Sequence, residues 1–475
     1  MLVALGFLMI ATFMALIMTK RMTPLLALII VPTVFGLFAG AGLGIGDMVM
    51  DSIKSMSGTA AMLMFAIMYF GIMIDVGLFD KLVAAILRLV GNDPAKVVVG
   101  TALLTALISL DGDGSTTFIV VTAAMLPIYL RLGLSPVVLT CVAGLANGTM
   151  NIVPWGGPTA RAAAALHVDS SDIFVPMLPA LFAGMIAVFL FAWAMGVSER
   201  KRLQLEDPIL WGTGSQMTGT GGTPRSSKSP LTPAGGGLGT AVLERVATRG
   251  DGSEVATMDG TALDPTRETL RPKMYWFNLV MTVAIMVLLV VDLVPMAYLF
   301  MVGTAIALVV NFPKISDQAK MIASHASSVI AVVSMVLAAA VLTGVLSGTG
   351  MVEAMSAWLV DVIPSSMGPL LAVLTGLISI PATFFMSNDA FYFGILPVLT
   401  EAGAHYGIEA VDMARASITG QPVHMQSPLV PAILLLVSLA KVDLGDHHKK
   451  VLWRAVVVSL VMLGAGMLTG AIAIG

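Results

Sequence analysis

Cysteine is nearly missing from this chain of 475 residues: Cys141 stands alone inside an apolar stretch. Neither a disulfide framework nor a thiolate metal site can be built from it. Charge is scarce as well. Asp, Glu, Lys and Arg make up 11% of the residues, against roughly a quarter in an ordinary soluble domain, and the mean hydropathy is +0.94. A water-soluble globule is thereby excluded. The few charges nearly cancel, 25 basic against 28 acidic, so no excess of one sign points to nucleic acid as a partner. Histidine is limited to six, and His and Cys form no cluster with metal-ligand spacing. The 34 methionines are scattered through apolar runs, as packing and lipid-facing side chains rather than a soft-metal path.

What is abundant is apolar sequence in long runs. About 20 such residues cross a bilayer, and the chain offers them at 2–19, 23–45, 58–77, 137–168, 173–196, 275–292, 295–312, 321–349, 408–440 and 449–474. The first run begins at Met1 with its charges, Lys20 and Arg21, after it, which reads as a first span rather than a cleaved signal peptide. Runs 137–168 and 408–440 are too long and too interrupted by Gly, Pro, Asn and Gln to be simple helices, and read as broken helices. Segments 97–131 and 367–402 each carry a polar tip in the middle. Each half looks too short to span, so both read as re-entrant hairpins; the other reading is a surface loop between two full spans.

Residues 203–272 differ in kind, rich in Gly, Thr, Ser and Pro, as expected of a solvated linker. The linker separates two halves, 1–202 and 273–475, that resemble each other. Leu107-Ile108-Ser109-Leu110 matches Leu377-Ile378-Ser379-Ile380, Met125-Leu126-Pro127 matches Ile395-Leu396-Pro397, and Val168-Asp169 matches Val442-Asp443. An internal duplication is expected, each copy holding five crossings and one hairpin. An odd number of crossings turns the second copy upside down. Placing Lys20 and Arg21 in the cytoplasm also places there Lys81, Arg88, Lys96, Arg131, Arg200, Lys201, Arg202, Arg271, Lys273, Lys314, Lys320, Lys441, Lys449 and Lys450. That agrees with the positive-inside rule, puts the linker in the cytoplasm, and leaves Lys54 in an outer loop. The fold class is thus an all-α polytopic membrane protein with two inverted-topology repeats.

The tips carry the chemistry. The first reads Asp111-Gly112-Asp113-Gly114-Ser115-Thr116-Thr117 and the second Ser387-Asn388-Asp389. Backbone that turns at membrane depth is tolerated only where it lines a cavity or packs on protein. Its hydroxyl, carboxylate and carbonyl oxygens suit a hard cation, while helix N-termini after the tips suit an anion. The broken helices add Asn147, Asn151, Gly156, Gly157, Thr159 and Arg161 in the first copy, and Arg415, Gln421, Pro422, His424, Gln426 and Ser427 in the second. A charge at the bilayer centre costs about 3 kcal/mol. Asp111, Asp113, Arg161, Asp389 and Arg415 facing lipid would together cost on the order of 15 kcal/mol, so they face a wet or ligand-filled interior. The arginine fork matches carboxylates, which makes Arg161 and Arg415 candidate anion clamps, or else structural partners of Asp169 or Asp412. His424 is either a proton carrier or a packing residue. Asp75 could reach the cavity or serve a helix end, and His447 and His448 read as solvated charge.

Phe70-Gly71-Ile72-Met73-Ile74-Asp75, Ser109-Leu110-Asp111-Gly112-Asp113-Gly114, the run Met150 to Arg161, the run Phe385 to Gly394 and Gly420-Gln421-Pro422-Val423-His424 resemble the citrate–metal–proton symporter family, often called CitMHS, within a superfamily of ion transporters. The similarity covers both halves from Met1 to about residue 470 and leaves the linker unmatched. It implies a carrier of the bacterial plasma membrane that takes up citrate complexed with a divalent cation, magnesium, calcium or another, driven by protons. It also implies inverted repeats, a homodimer and an elevator motion, with no cofactor and no permanent protein metal site. On this resemblance Ser115, Thr116, Ser387 and Asn388 meet the citrate carboxylates and hydroxyl, and Arg161 is the main clamp. Asp111, Asp113 and Asp389, with His424, handle protons or the chelated metal. Among superfamily relatives a Ser-Asn-Thr tip holds sodium; the added aspartates here depart from it. A sodium-coupled di- or tricarboxylate carrier or a cation–proton antiporter is the alternative of the same fold. An intramembrane aspartyl protease, which also needs two aspartates at membrane depth, gives no reason for inverted repeats.

Overall fold

The computed structural model describes residues 1–19, 21–91, 93–112, 114–206, 267–291, 293–364 and 367–473. Lys20, Asp113 and residues 207–266, the bulk of the expected linker, lie outside the described residues. Among those described there is no strand. Eight helices are long and apolar enough to cross a membrane, and shorter apolar helices accompany them. The chain is an integral, multi-pass, all-helical membrane protein.

Helix starts follow local chemistry. Pro24, Pro94, Pro136 and Pro431 occupy first-turn positions, where a missing N–H costs nothing. Asp93, Asp169 and Asp443 cap the next segments by accepting from backbone N–H groups of Ala95, Ser171 and Gly445. Many large side chains point outward, Trp276 at 68% exposure and Phe182 at 65% among them. In water these would be adhesive patches; against acyl chains they are at home.

Two helices are the longest among the described residues. Ile45–Asp75 has 31 residues and Ile315–Gly348 has 34, about 46 and 51 Å at 1.5 Å per residue, well beyond the roughly 30 Å hydrocarbon core. They lie against each other. Ser52 and Thr343 share a buried 2.8 Å hydrogen bond between them, and a Cβ at Gly344 would stand 2.7 Å from the Met48 carbonyl, so small residues set the approach. This corrects two expectations: the third run starts at residue 45 rather than 58, and Lys54 lies inside that helix, exposed and paired with Asp51 at 2.9 Å.

Both hairpins form. The first has arms Pro94–Ile108 and Gly114–Leu132, and the second has Leu371–Phe385 facing Ala390–Ile395 and Leu396–Ala404. Three of these arms, counted with their flanking turns as Pro94–Asp111, Gly114–Leu132 and Gly368–Phe385, reach 18, 19 and 18 residues. They are long enough to span, which corrects the expectation that each is too short. Ala390–Ile395 is a π-helical turn. Pro397, lacking an N–H, cannot bond the carbonyl four residues back, and the ladder there is shifted, as π-turns at functional sites often are.

Both broken helices are also present: Pro136–Met150 then Gly157–Leu166, and Ala410–Ser417, a short turn, Gln421–His424, then Pro431–Leu439. The first crosses the second at Gly144 and Gly148, a Gly-x-x-x-Gly pair. A Cβ at Gly148 would stand 3.0 Å from the Pro422 Cα, and one at Gly144 would stand 2.5 Å from the Gln426 side chain. Each broken helix ends on a non-glycine residue in the left-handed region, His167 at φ 56° and Lys441 at φ 53°. Each of these is followed by the matching Val-Asp, so the likeness of the two halves extends to backbone conformation.

The ends of the linker region are ordered. The helix starting at Leu178 runs to Glu206, past the expected boundary at 202. At the other end, Arg267 is buried, its guanidinium 2.8 Å from the Asp80 carboxylate. Burial pushes the Asp80 carboxyl above the usual carboxylate range, against the pull of that guanidinium.

Candidate functional site

The two tips and the two breaks converge. Arg161 rises from the first turn of Gly157–Leu166, and its Nε donates to Asp389 Oδ1 at 2.6 Å, an ion pair with side chains 23% and 9% exposed. Gly157 makes the space: a Cβ there would stand 2.6 Å from Arg161 Nη1. Gly156 sits where the chain doubles back, with no room for a Cβ beside the Val153 carbonyl. The cleft beside Arg161, lined also by Leu63, Val336 and Phe393, encloses about 10 Å³, room for at most one water.

Beside that pair lies an amide network. Gln421 Oε1 accepts from Asn151 at 3.2 Å and from Asn388 at 3.5 Å, while its Nε2 donates to Asn388 Oδ1 at 3.3 Å and to the Tyr392 hydroxyl at 3.0 Å. Tyr392 in turn donates to the Ser417 carbonyl at 3.3 Å. Ser387 Oγ accepts the Ala390 N–H and so begins the returning arm. One breakpoint from each half and the second tip are thereby laced together.

The first tip is held differently. Asn147 stands four residues before Asn151 and so shares its helix face; its Nδ2 donates to Ser109 Oγ at 2.8 Å. Its Oδ1 is buried with no hydrogen-bond partner among the described residues. Trp155 Nε1 donates to the Leu110 carbonyl at 2.8 Å. Its indole stacks on Phe70, centroids 4.9 Å apart, and meets Phe300 edge-on at 5.1 Å. Gly112 turns the tip at φ 77°, with its Cα against that indole. Asp111 is buried and accepts from Thr117 at 3.5 Å. Ser115 and Thr116 stand half-buried in the first turn of the next helix.

Other expected residues make structural contacts. Thr159 donates to the Ile152 carbonyl at 2.7 Å and closes the break. Pro422 opens the short helix, and His424, buried, places Nδ1 2.6 Å from the Thr383 carbonyl on the second hairpin. Arg415 does not reach the site: it pairs with Asp412 at 2.9 Å and donates to the Asp172 and Ala471 carbonyls, so the structural alternative holds there. His447 is not solvated either. It is buried, with ring nitrogens 3.1 Å from Thr140 Oγ1 and from Gln426 Oε1, and His448 reaches the Gln426 carbonyl at 2.7 Å.

Sequence reasoning missed Tyr392 and Ser109 as site residues, and named Gln426 without its partners His447 and His448. Tyr392 lies three residues after Asp389, and that spacing was its signal. Ser109 and His447 gave none, because their partners are distant in the chain. Asp113 lies outside the described residues.

Buried charges and amides gathered where two broken helices meet a polar hairpin tip, inside an apolar helical bundle, define a membrane transporter rather than an enzyme. The family described as “Citrate transporter” matches residues 2–420. Over 473 residues the chain is 46% identical to the “Citrate transporter” of Bacillus subtilis strain 168, covering 99% of this chain and all of that one. Over 475 residues it is 45% identical to the same organism's “Mg(2+)/citrate complex secondary transporter”, with both chains fully covered. It is 42% identical to the “Uncharacterized transporter YraO”, again over full length. Among solved structures, the YdaH transporter of Alcanivorax borkumensis aligns with a TM-score of 0.47 at 14% identity, over 88% of this chain and 86% of that one. The chain belongs to the citrate transporter family.

Proposed function

We propose that this chain imports citrate as its complex with a divalent cation, coupled to protons, across a bacterial plasma membrane. The observation that carries this reading is the ion pair between half-buried Arg161 and buried Asp389. Citrate carries three negative charges when ionised and its divalent complex carries one, so a single guanidinium suffices as counter-charge. Asp389 occupies that guanidinium until a proton neutralises it and a substrate carboxylate takes its place. Full-length similarity to a relative named for the magnesium–citrate complex supports the choice of substrate.

In this reading Ser387, Asn388, Asn151 and Gln421 orient the citrate oxygens, while Asp111, Asp113, Ser115, Thr116 and Asn147 face the chelated metal or protons. Gly156, Gly157 and Pro422 keep the helices broken, and His424 anchors the break. The two halves are inverted repeats, the hairpins move as part of an elevator against the two long helices, two copies assemble, and residues 203–272 form a cytoplasmic linker. With two or more protons per complex each cycle carries net positive charge inward, and the membrane potential then contributes about 2.3 kcal/mol per charge per 100 mV.

The test is labelled citrate uptake into proteoliposomes under an inward proton gradient, with magnesium, calcium, another divalent metal or EDTA outside. Uptake that needs a metal and collapses with the gradient is expected. Uptake that persists in EDTA would make free citrate the substrate, and a sodium requirement would favour the sodium-coupled carrier of the same fold.

A further inference from the structure

Arg454 shares no contact with the polar network just described, yet it lies inside Leu444–Leu468, one of the helices long enough to span a membrane. A guanidinium carries its N–H donors in a fixed fork. Here Nη1 donates to the Lys450 carbonyl, one turn back on the same helix, and Nε is buried with no acceptor among the described residues. The flat faces are covered by aromatic rings, with Trp453 centred 4.3 Å and Phe191 5.9 Å from the guanidinium carbon. Those two rings meet edge-on at 5.4 Å.

Leu444–Leu468 packs antiparallel on Leu178–Glu206: Phe191 meets Trp453, and further along a Cβ at Gly184 would stand 2.7 Å from Met462. The carboxylates at the Trp453 end of this pair of helices are engaged. Asp446 holds Lys449 at 3.1 Å, Glu199 holds Arg202 at 2.8 Å and accepts the Ser135 N–H, and Asp93 holds Arg200. Lys450, half-buried, stands four residues before Arg454 and so on the same helix face. Neither of these two cations has an ion-pair partner among the described residues. A charge in a spanning helix needs one. Beside them the surface turns apolar, with Trp453, Val457 and Leu460 exposed on one helix and Leu190 and Trp193 on the other.

We propose that Arg454 and Lys450 bind the headgroup of an anionic phospholipid, whose acyl chains lie along the apolar seam between the two helices. The guanidinium fork matches phosphate oxygens, and the ammonium adds a second positive charge one turn away. Basic pockets between spanning helices recognise anionic headgroups in this way, and an exposed tryptophan such as Trp453 suits the headgroup boundary. A zwitterionic lipid would bring its own cation beside two others, so selection by headgroup charge follows. The bound lipid clamps Leu178–Glu206 to Leu444–Leu468, whose first turns carry His447 and His448. Those histidines hold Gln426, next to the second broken helix, so the lipid steadies that break from outside. The site stands on charge and packing alone and does not depend on what is transported.

The test uses the full chain purified in detergent and mixed with phosphatidylglycerol or with phosphatidylcholine of the same acyl chains, bound lipid being counted by native mass spectrometry. Wild type is expected to retain the anionic lipid in preference to the zwitterionic one. R454Q should lower that retention about fivefold, as for loss of one basic residue beside an anionic headgroup. K450Q should cost a comparable factor, and it decides the matter if R454Q does not fold. K449Q, which removes an exposed lysine already held by Asp446, should leave retention unchanged. In a melting assay phosphatidylglycerol should raise Tm in wild type and not in K450Q, while inorganic phosphate should not raise it in either. Equal retention of the two lipids, an equal loss in K449Q, retention unchanged in R454Q and K450Q, or stabilisation by inorganic phosphate alone overturns the proposal.

Discussion

The two hairpin tips occupy matching places in the two halves, yet they are stabilised by different forces. Among the described residues the first is held by hydrogen bonds from Trp155 and Asn147, with the buried Asp111 carboxylate accepting from Thr117. The second is held by a guanidinium on Asp389 and by amides on Asn388. A tip tied by an ion pair is released by one proton or one competing anion. A tip tied by neutral bonds responds weakly to either. In the proposed function the anion switch therefore sits on the second tip.

The variants that probe this difference rank by what they leave unpaired. R161A strands the Asp389 carboxylate, a loss of about 3–5 kcal/mol for one partner of a buried pair. Citrate uptake at subsaturating substrate should fall at least 100-fold, and R161K, a point charge without the fork, should not restore it. Q421L leaves the Asn151 and Asn388 amides without their shared partner, costing about 1–3 kcal/mol; KM should rise about 10-fold in the same uptake assay. W155F removes one neutral bond to the first tip and keeps the stack on Phe70, so about 1 kcal/mol and a several-fold fall in uptake are expected. R415M should be smallest for transport. It frees the Asp412 carboxylate and the Asp172 and Ala471 carbonyls, none of which touches the pair, lowering thermal stability in a melting assay while KM stays within about twofold. A large KM effect in R415M, or a larger one in W155F than in R161A, would break the comparison between the tips.

Much of this arrangement was legible in the chain itself. Polar tips inside apolar runs marked both hairpin segments, and Gly, Pro and Asn inside overlong runs marked both breaks, because each of those residues has a local cost that a cavity or packing on protein must offset. Arg161 and Asp389 were named separately, since membrane charges must find partners; that they are each other's partner depends on a contact 228 residues apart. Local pattern does not encode such separations. For the same reason Arg415 looked like a clamp and His447 like surface charge. Their chain neighbours, Asp412 and Lys449, suggested nothing of the Asp172 carbonyl or of Gln426. The length of Ile45–Asp75 was missed because Asp47, Asp51 and Lys54 are polar without being helix breakers.

The central claim is that Asp389 gives up Arg161 to the substrate when a proton neutralises it. Measuring the charge carried per citrate by reversal potential, in wild type and D389N, tests it most directly. Asn cannot take up and release that proton, so the account predicts one fewer positive charge per citrate in D389N, with citrate still bound. An unchanged ratio, in a variant that transports with a normal proton dependence, would contradict it.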